Sequence, residues 1–141
     1  MRHKLFSTAI SLCAIAFFTM ASAPSLSAAT VRPVAITSTF TSCTADFSLC
    51  TGTFIASGGL ATSGTVTMHT FFYANGKLAH CIYLFESKDG TFTVVEDCEF
   101  ITDPAHGIWR IVGGTGAYRH LGGIGTALMP DNLEIWTGVV F

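Results

Sequence analysis

From residue 34 onward, apolar and polar positions alternate in short runs, and no long stretch has helical spacing. The runs are rich in β-branched and aromatic residues and are separated by Gly, Asn-Gly, Asp-Gly and Pro-Asp. This pattern predicts strands at Val34–Thr41, Gly52–Ile55, Gly64–Tyr73, Leu78–Glu86, Thr91–Phe100, Gly107–Val112, Ile124–Met129 and Leu133–Val140. Eight short strands without helices predict an all-β fold, an eight-stranded antiparallel β-barrel or a sandwich. Ser57–Gly64 reads as a small glycine-rich loop, expected to be mobile. No internal repeat or low-complexity linker divides the pattern.

Two turns fix a register. Asn75-Gly76 is a two-residue hairpin signal, because both central residues must take positive φ. It pairs Phe72 with Ala79, Thr70 with Cys81 and Met68 with Tyr83. Read the same way, Asp89-Gly90 pairs Lys88 with Thr91, Phe85 with Val94, Tyr83 with Glu96 and Cys81 with Cys98. A directly opposed cysteine pair at a non-hydrogen-bonded position suits a disulfide. By elimination Cys43 would then join Cys50. Period-two alternation puts Met68, Thr70, Phe72, Cys81, Tyr83, Phe85, Phe92, Val94, Glu96 and Cys98 on one face, taken as the interior. The other face carries His69, Phe71, His80, Ile82, Leu84, Asp97 and Glu99; its apolar members suggest cover by a neighbouring subunit, so a homo-oligomer is a candidate assembly.

The N-terminus breaks the pattern. Arg2 and Lys4 precede an apolar stretch, Leu5 to Met20, followed by small residues through Ala29. This is the layout of a secretory signal peptide, residues 1–29, cleaved near Ala28 or Ala29. The apolar core is shorter than the roughly 20 residues of a membrane span, so no stable membrane anchor is expected. The remaining chain, residues 30–141, is one domain by size, and export to a secreted or periplasmic location suits disulfides. Four cysteines there allow three pairings. Without Arg2 and Lys4, five basic residues face nine acidic ones, a net charge of 5 − 9 = −4. That balance, with no basic cluster, excludes a nucleic-acid partner.

The most distinctive segment runs from Gly107 to Gly125: Gly-Ile-Trp-Arg-Ile-Val-Gly-Gly-Thr-Gly-Ala-Tyr-Arg-His-Leu-Gly-Gly-Ile-Gly. Gly113, Gly114 and Gly116 permit a sharp bend. Arg119 stands where a dinucleotide fingerprint needs glycine, and a phosphate loop would need Gly-Lys-Ser or Gly-Lys-Thr. Trp-x-Ile-x-Gly-Gly-Thr-Gly-x-aromatic, then Leu-x-Gly-x-Gly, resembles the signature of the allene oxide cyclase barrel superfamily, which includes dirigent proteins. The resemblance rests on Trp109, Tyr118 and Gly125 at these spacings. It implies an eight-stranded antiparallel barrel with an apolar cavity, often in dimers or trimers. It also implies cofactor-free cyclisation or coupling of apolar small molecules. The plant cyclases' polar catalytic set has no residue-by-residue counterpart here.

Glu96 is the single acid on the inferred inner face, opposite Tyr83. Burial would raise its pKa and make it a proton donor or acceptor, with Tyr83 as its partner. Met68, Phe72, Phe85, Phe92, Val94 and Trp109 are the expected cavity lining. His69, His80, Asp97 and Glu99 read as a solvated outer surface, so no metal is expected. His106, His120 and Asp103 read as loop residues, and Arg110 as exposed if Trp109 packs inside. No Ser-His-Asp set or nucleophile elbow is present. Two readings follow: an exported barrel binding an apolar small molecule, as a cofactor-free cyclase or isomerase, and a non-catalytic exported domain binding a protein partner or surface.

Overall fold

The computed structural model describes residues 30–141. The expected signal peptide, residues 1–29, lies outside the described residues. Eight strands follow in order: β1 (Arg32–Cys43), β2 (Leu49–Gly58), β3 (Thr62–Phe72), β4 (Leu78–Ser87), β5 (Gly90–Glu99), β6 (Ala105–Gly114), β7 (Gly123–Met129) and β8 (Leu133–Val140). Each pairs antiparallel with the next, and β8 returns to β1 to close the barrel. One 3₁₀ turn, Gly116–Tyr118, sits between β6 and β7. The all-β barrel expected from the alternation is the observed fold. Closure removes both sheet edges, so every strand has two hydrogen-bonded neighbours.

Alternation explains how each strand is buried. Along β2, Cys50, Gly52, Phe54 and Ala56 are buried, and the residues between them are exposed. On β4, Ala79, Cys81, Tyr83 and Phe85 point in. On β5, Phe92, Val94, Glu96 and Cys98 do the same. The inner face read from the sequence is therefore the inner face of the barrel. Phe72 and Phe100 share its parity but stand at the rim, where they are exposed.

The β3–β4 register is the expected one, with Phe72 opposite Ala79 and Met68 opposite Tyr83. The β4–β5 register is not. Ser87 pairs with Gly90, which puts Cys81 opposite Glu96 and Ala79 opposite Cys98. The turn is Lys88-Asp89, and Gly90 belongs to the strand. Gly90 serves close approach instead: at φ 140° it lies against the backbone of Thr115 and Gly116, where a Cβ would clash. Thr91 N–H donates to Thr115 Oγ1 at 3.1 Å and fixes this contact. The slip leaves parity unchanged, so faces survive while opposed pairs change.

Two further expectations are corrected. Ser57–Gly64 is mostly strand: Ala56 pairs with Thr62, and Phe54 with Gly64. Residues 59–61 alone link β2 and β3, with Leu60 buried. Cys43 and Cys50 form the expected disulfide across the β1–β2 hairpin. Cys81 and Cys98, expected as the second, are free thiols on diagonal positions with their Sγ atoms 3.1 Å apart.

One half of the interior is filled by aromatic rings. Phe85 and Phe92 stack at 4.6 Å, and Phe54 meets both edge-on at 4.9 and 5.8 Å. Tyr118 caps this end against Phe92 at 5.3 Å, its hydroxyl 3.0 Å from Ser87 Oγ and bonded to Thr62. Such contacts add to the roughly 1.5–3 kcal/mol gained by burying each large apolar side chain.

Tyr118 reaches the barrel end because Gly116 turns the chain with φ +58°, packed on the Asp89 carbonyl. Gly113, on the same glycine-rich bend, has ordinary φ and open space beside its Cα. We predict that Gly116→Val destabilises the fold by about 1–3 kcal/mol or more, while Gly113→Val changes it little. Thermal melting of both variants checks this; equal melting would mean that the bend does not position Tyr118.

Candidate functional site

The other half of the barrel is open. A pocket of about 740 Å³ enters at the end carrying the β1–β2, β3–β4, β5–β6 and β7–β8 connections. Phe40, Met68, Thr70, Phe72, Cys81, Phe100, Met129 and Leu133 line it, with the Cys43–Cys50 hairpin and Phe47 at its mouth. The walls are predominantly apolar, and the volume is that of a small-molecule site.

Of the lining residues expected from sequence, Met68 and Phe72 border this pocket. Phe85, Phe92, Val94 and Trp109 do not: all four are fully buried in the packed part of the interior. Parity placed them correctly on the inner face, but parity gives no height along the barrel, and the aromatic half lies farther from the mouth.

Beneath the pocket lies a polar layer. Glu96 stands opposite Cys81, which lines the pocket, and Glu134 follows Leu133, which also lines it. Both acids are buried, at 1% and 0% exposure. Tyr83 O–H donates to Glu134 Oε1 at 2.9 Å. The sequence expectation set Glu96 against Tyr83; the shifted register sets Tyr83 opposite Val94, and its hydroxyl instead bonds the acid from β8. Glu96 has room because Gly107, diagonal to it on β6 and opposite Cys98, has no side chain; a Cβ there would strike the carboxyl.

Glu96 and Glu134 lie close enough to influence each other's ionisation, but no hydrogen bond of normal geometry joins them. Glu96 Oε1, Glu96 Oε2 and Glu134 Oε2 have no partner within the protein, nor do Ser38 Oγ and Trp136 Nε1. Burial raises the pKa of both acids. Glu134 is pushed well up, first by burial and then by the charge of Glu96. Burial, then Glu134 and Glu96, also push the Tyr83 phenol well up. In the thiol pair, the contact with Cys98 holds Cys81 below its ordinary value, while Cys98 is driven up. The arrangement can hold a proton on one carboxyl and offer the other as acceptor.

Glu134 was missed by the sequence reading. It shares parity with Trp136 and Val140 on β8, and all three are buried. That alternation was the available signal, but without closure of β8 onto β1 its face could not be matched to that of Glu96. The remaining candidates lie outside the interior. His80 Nδ1 meets Asp97 Oδ1 at 2.9 Å on the outer face, and His106 bridges Glu99 and Thr102. Arg110 and His120 are exposed, while Trp109 points inward and donates to the Thr126 carbonyl at 3.0 Å. Among the described residues no group of His, Cys, Asp and Glu could hold a metal ion, and no helix is long and apolar enough to cross a membrane. Comparison with known protein families, curated proteins and solved structures finds no match to any of them.

The raised acids set a pH dependence. The folded barrel holds both carboxyls protonated more firmly than the unfolded chain does. Stability is therefore fully present below the unfolded value of about 4.3 and falls as pH rises toward and through the raised folded values. Each unit of separation corresponds to about 1.4 kcal/mol. We predict a melting temperature that declines between pH 5 and 8, with a shallower decline in Glu134→Gln. A flat profile in the parent protein would show that neither acid is held neutral by burial.

Proposed function

We propose that this chain is an exported barrel that takes up an apolar small molecule in its open half. In this reading the buried acids act on that molecule as proton donor and acceptor, the chemistry of a cofactor-free isomerase or cyclase. The observation that carries the reading is the position of Glu96 and Glu134, each next to a residue that lines the apolar pocket, Cys81 and Leu133, with three carboxyl oxygens lacking a partner in the protein. One of the two acids supplies the proton and the other accepts it, with Glu134 already taking a hydrogen bond from Tyr83. The Trp109–Tyr118–Gly125 motif adds support through its resemblance to the allene oxide cyclase barrels. Export is supported by the N-terminal pattern and by the Cys43–Cys50 disulfide.

A second reading rests on the outside of the barrel. Ile108, Ile124 and Leu128 on β6 and β7 are about half to two-thirds exposed and continue onto Ile135 of β8. Such a face suits a protein partner or a second copy of the chain, without chemistry in the interior.

Titration with N-phenyl-1-naphthylamine, a neutral apolar fluorescent probe, separates the two. We expect saturable binding at one site per chain, weakened at least tenfold in Thr70→Trp, which fills the pocket while the far half stays packed. Absence of saturable binding would overturn the small-molecule reading and leave the outer face as the functional surface.

A further inference from the structure

The polar layer contains acids and no base. Among the described residues the buried polar or charged side chains are Ser38, Thr70, Glu96 and Glu134, and no Lys, Arg or His is buried. An unpaired buried carboxylate is costly, and a cation is the partner that satisfies it best. Aromatic rings stand around the same layer. Trp109 is the strand neighbour of Glu96 on β6, and Trp136 lies 5.9 Å from Trp109 and 4.5 Å from Tyr83. Rings beside carboxyls recognise ammonium groups, through cation–π attraction and charge together. A metal ion is less well served, since no third metal-ligating group joins the acids.

We infer that the ligand of this barrel is an apolar amine, its hydrocarbon body in the pocket and its ammonium directed past Cys81 toward Glu96 and Glu134. The inference rests on the small-molecule reading above and adds the class of head group. Its energetic logic is exchange of protons for a cation. Without a ligand, burial favours the neutral form of the acids; an ammonium favours the ionised form, so binding expels a proton. The titratable groups that act on the acids are Tyr83 and Cys81 from β4, Cys98 from β5, and Asp97, whose charge reaches Glu96 from the outer face. Ser38 of β1, Trp109 and Gly107 of β6 and Ala127 of β7 complete the layer without adding charge. Proton release on binding therefore reports on the two acids. An apolar carboxylate would bury its charge beside two acids with no buried base to pair it, and so gains nothing from this layer.

Calorimetric titration of the whole exported domain with n-octylamine, n-octanol and octanoate tests this. The experiment is run at pH 7 in two buffers of different ionisation enthalpy. We expect octylamine to bind at least tenfold more tightly than octanol, octanoate to bind more weakly than both, and about one proton to be released per amine bound. Glu96→Gln and Glu134→Gln should each lower the ratio of octylamine to octanol affinity. The proton count on the parent protein stands as a test even if a variant fails to fold. Octanol binding as tightly as octylamine, or amine binding without proton release, would overturn the ammonium assignment and leave the pocket reading intact. No saturable binding of either would overturn both.

Discussion

Closing eight strands into a barrel sends every inward side chain into one shared interior, and in this chain two of those side chains are carboxylic acids. Water solvates an exposed carboxylate well; the barrel wall removes that option for Glu96 and Glu134. The pairing of β8 with β1 brings Glu134 into the interior, and the pairing of β4 with β5 sets Glu96 beside Cys81. Neither acid has a buried base to neutralise it among the described residues. Burial favours the neutral form of both, and Glu134 accepts one hydrogen bond from Tyr83.

The remainder of the interior is arranged around that layer. On one side, the Phe54–Phe85–Phe92 cluster and Tyr118 fill the barrel and supply the apolar burial that stabilises it. On the other, the interior stays open to a pocket walled by Met68, Thr70, Phe72 and Cys81. A barrel packed throughout would be structural, and one open throughout would bury too little at this size. Half-filling gives both a core and a site, with the acids at the boundary. Gly107 belongs to the same design, since it leaves the space that the Glu96 carboxyl occupies.

Much of this architecture was legible in the amino-acid pattern, for a physical reason. Alternation reports which face a residue occupies, and closure turns one face into the inside; hence Tyr83, Phe85, Phe92, Val94 and Glu96 were all placed inward. What alternation cannot report is position along the barrel axis or identity across a distant pairing. Phe85 and Trp109 therefore read as cavity lining when they are packed core. The misplaced partners of Cys81 and Glu96 have a different origin. Gly90 resembles a hairpin residue in isolation, but it is needed for close approach to the Thr115–Gly116 bend, a contact 25 residues away in sequence. Glu134 was hidden because its neighbours in space, Tyr83 and Ser38, come from the middle and the start of the described chain.

The central claim is that burial raises the pKa of the two interior acids and makes them available for proton exchange with whatever enters the pocket. Carboxyl carbon NMR, with glutamate labelled and Glu96→Gln and Glu134→Gln used for assignment, tests it without a ligand. The account predicts that both resonances titrate above the ordinary carboxyl value of about 4.3. Two glutamates titrating freely near that value would place both side chains in water and contradict the account.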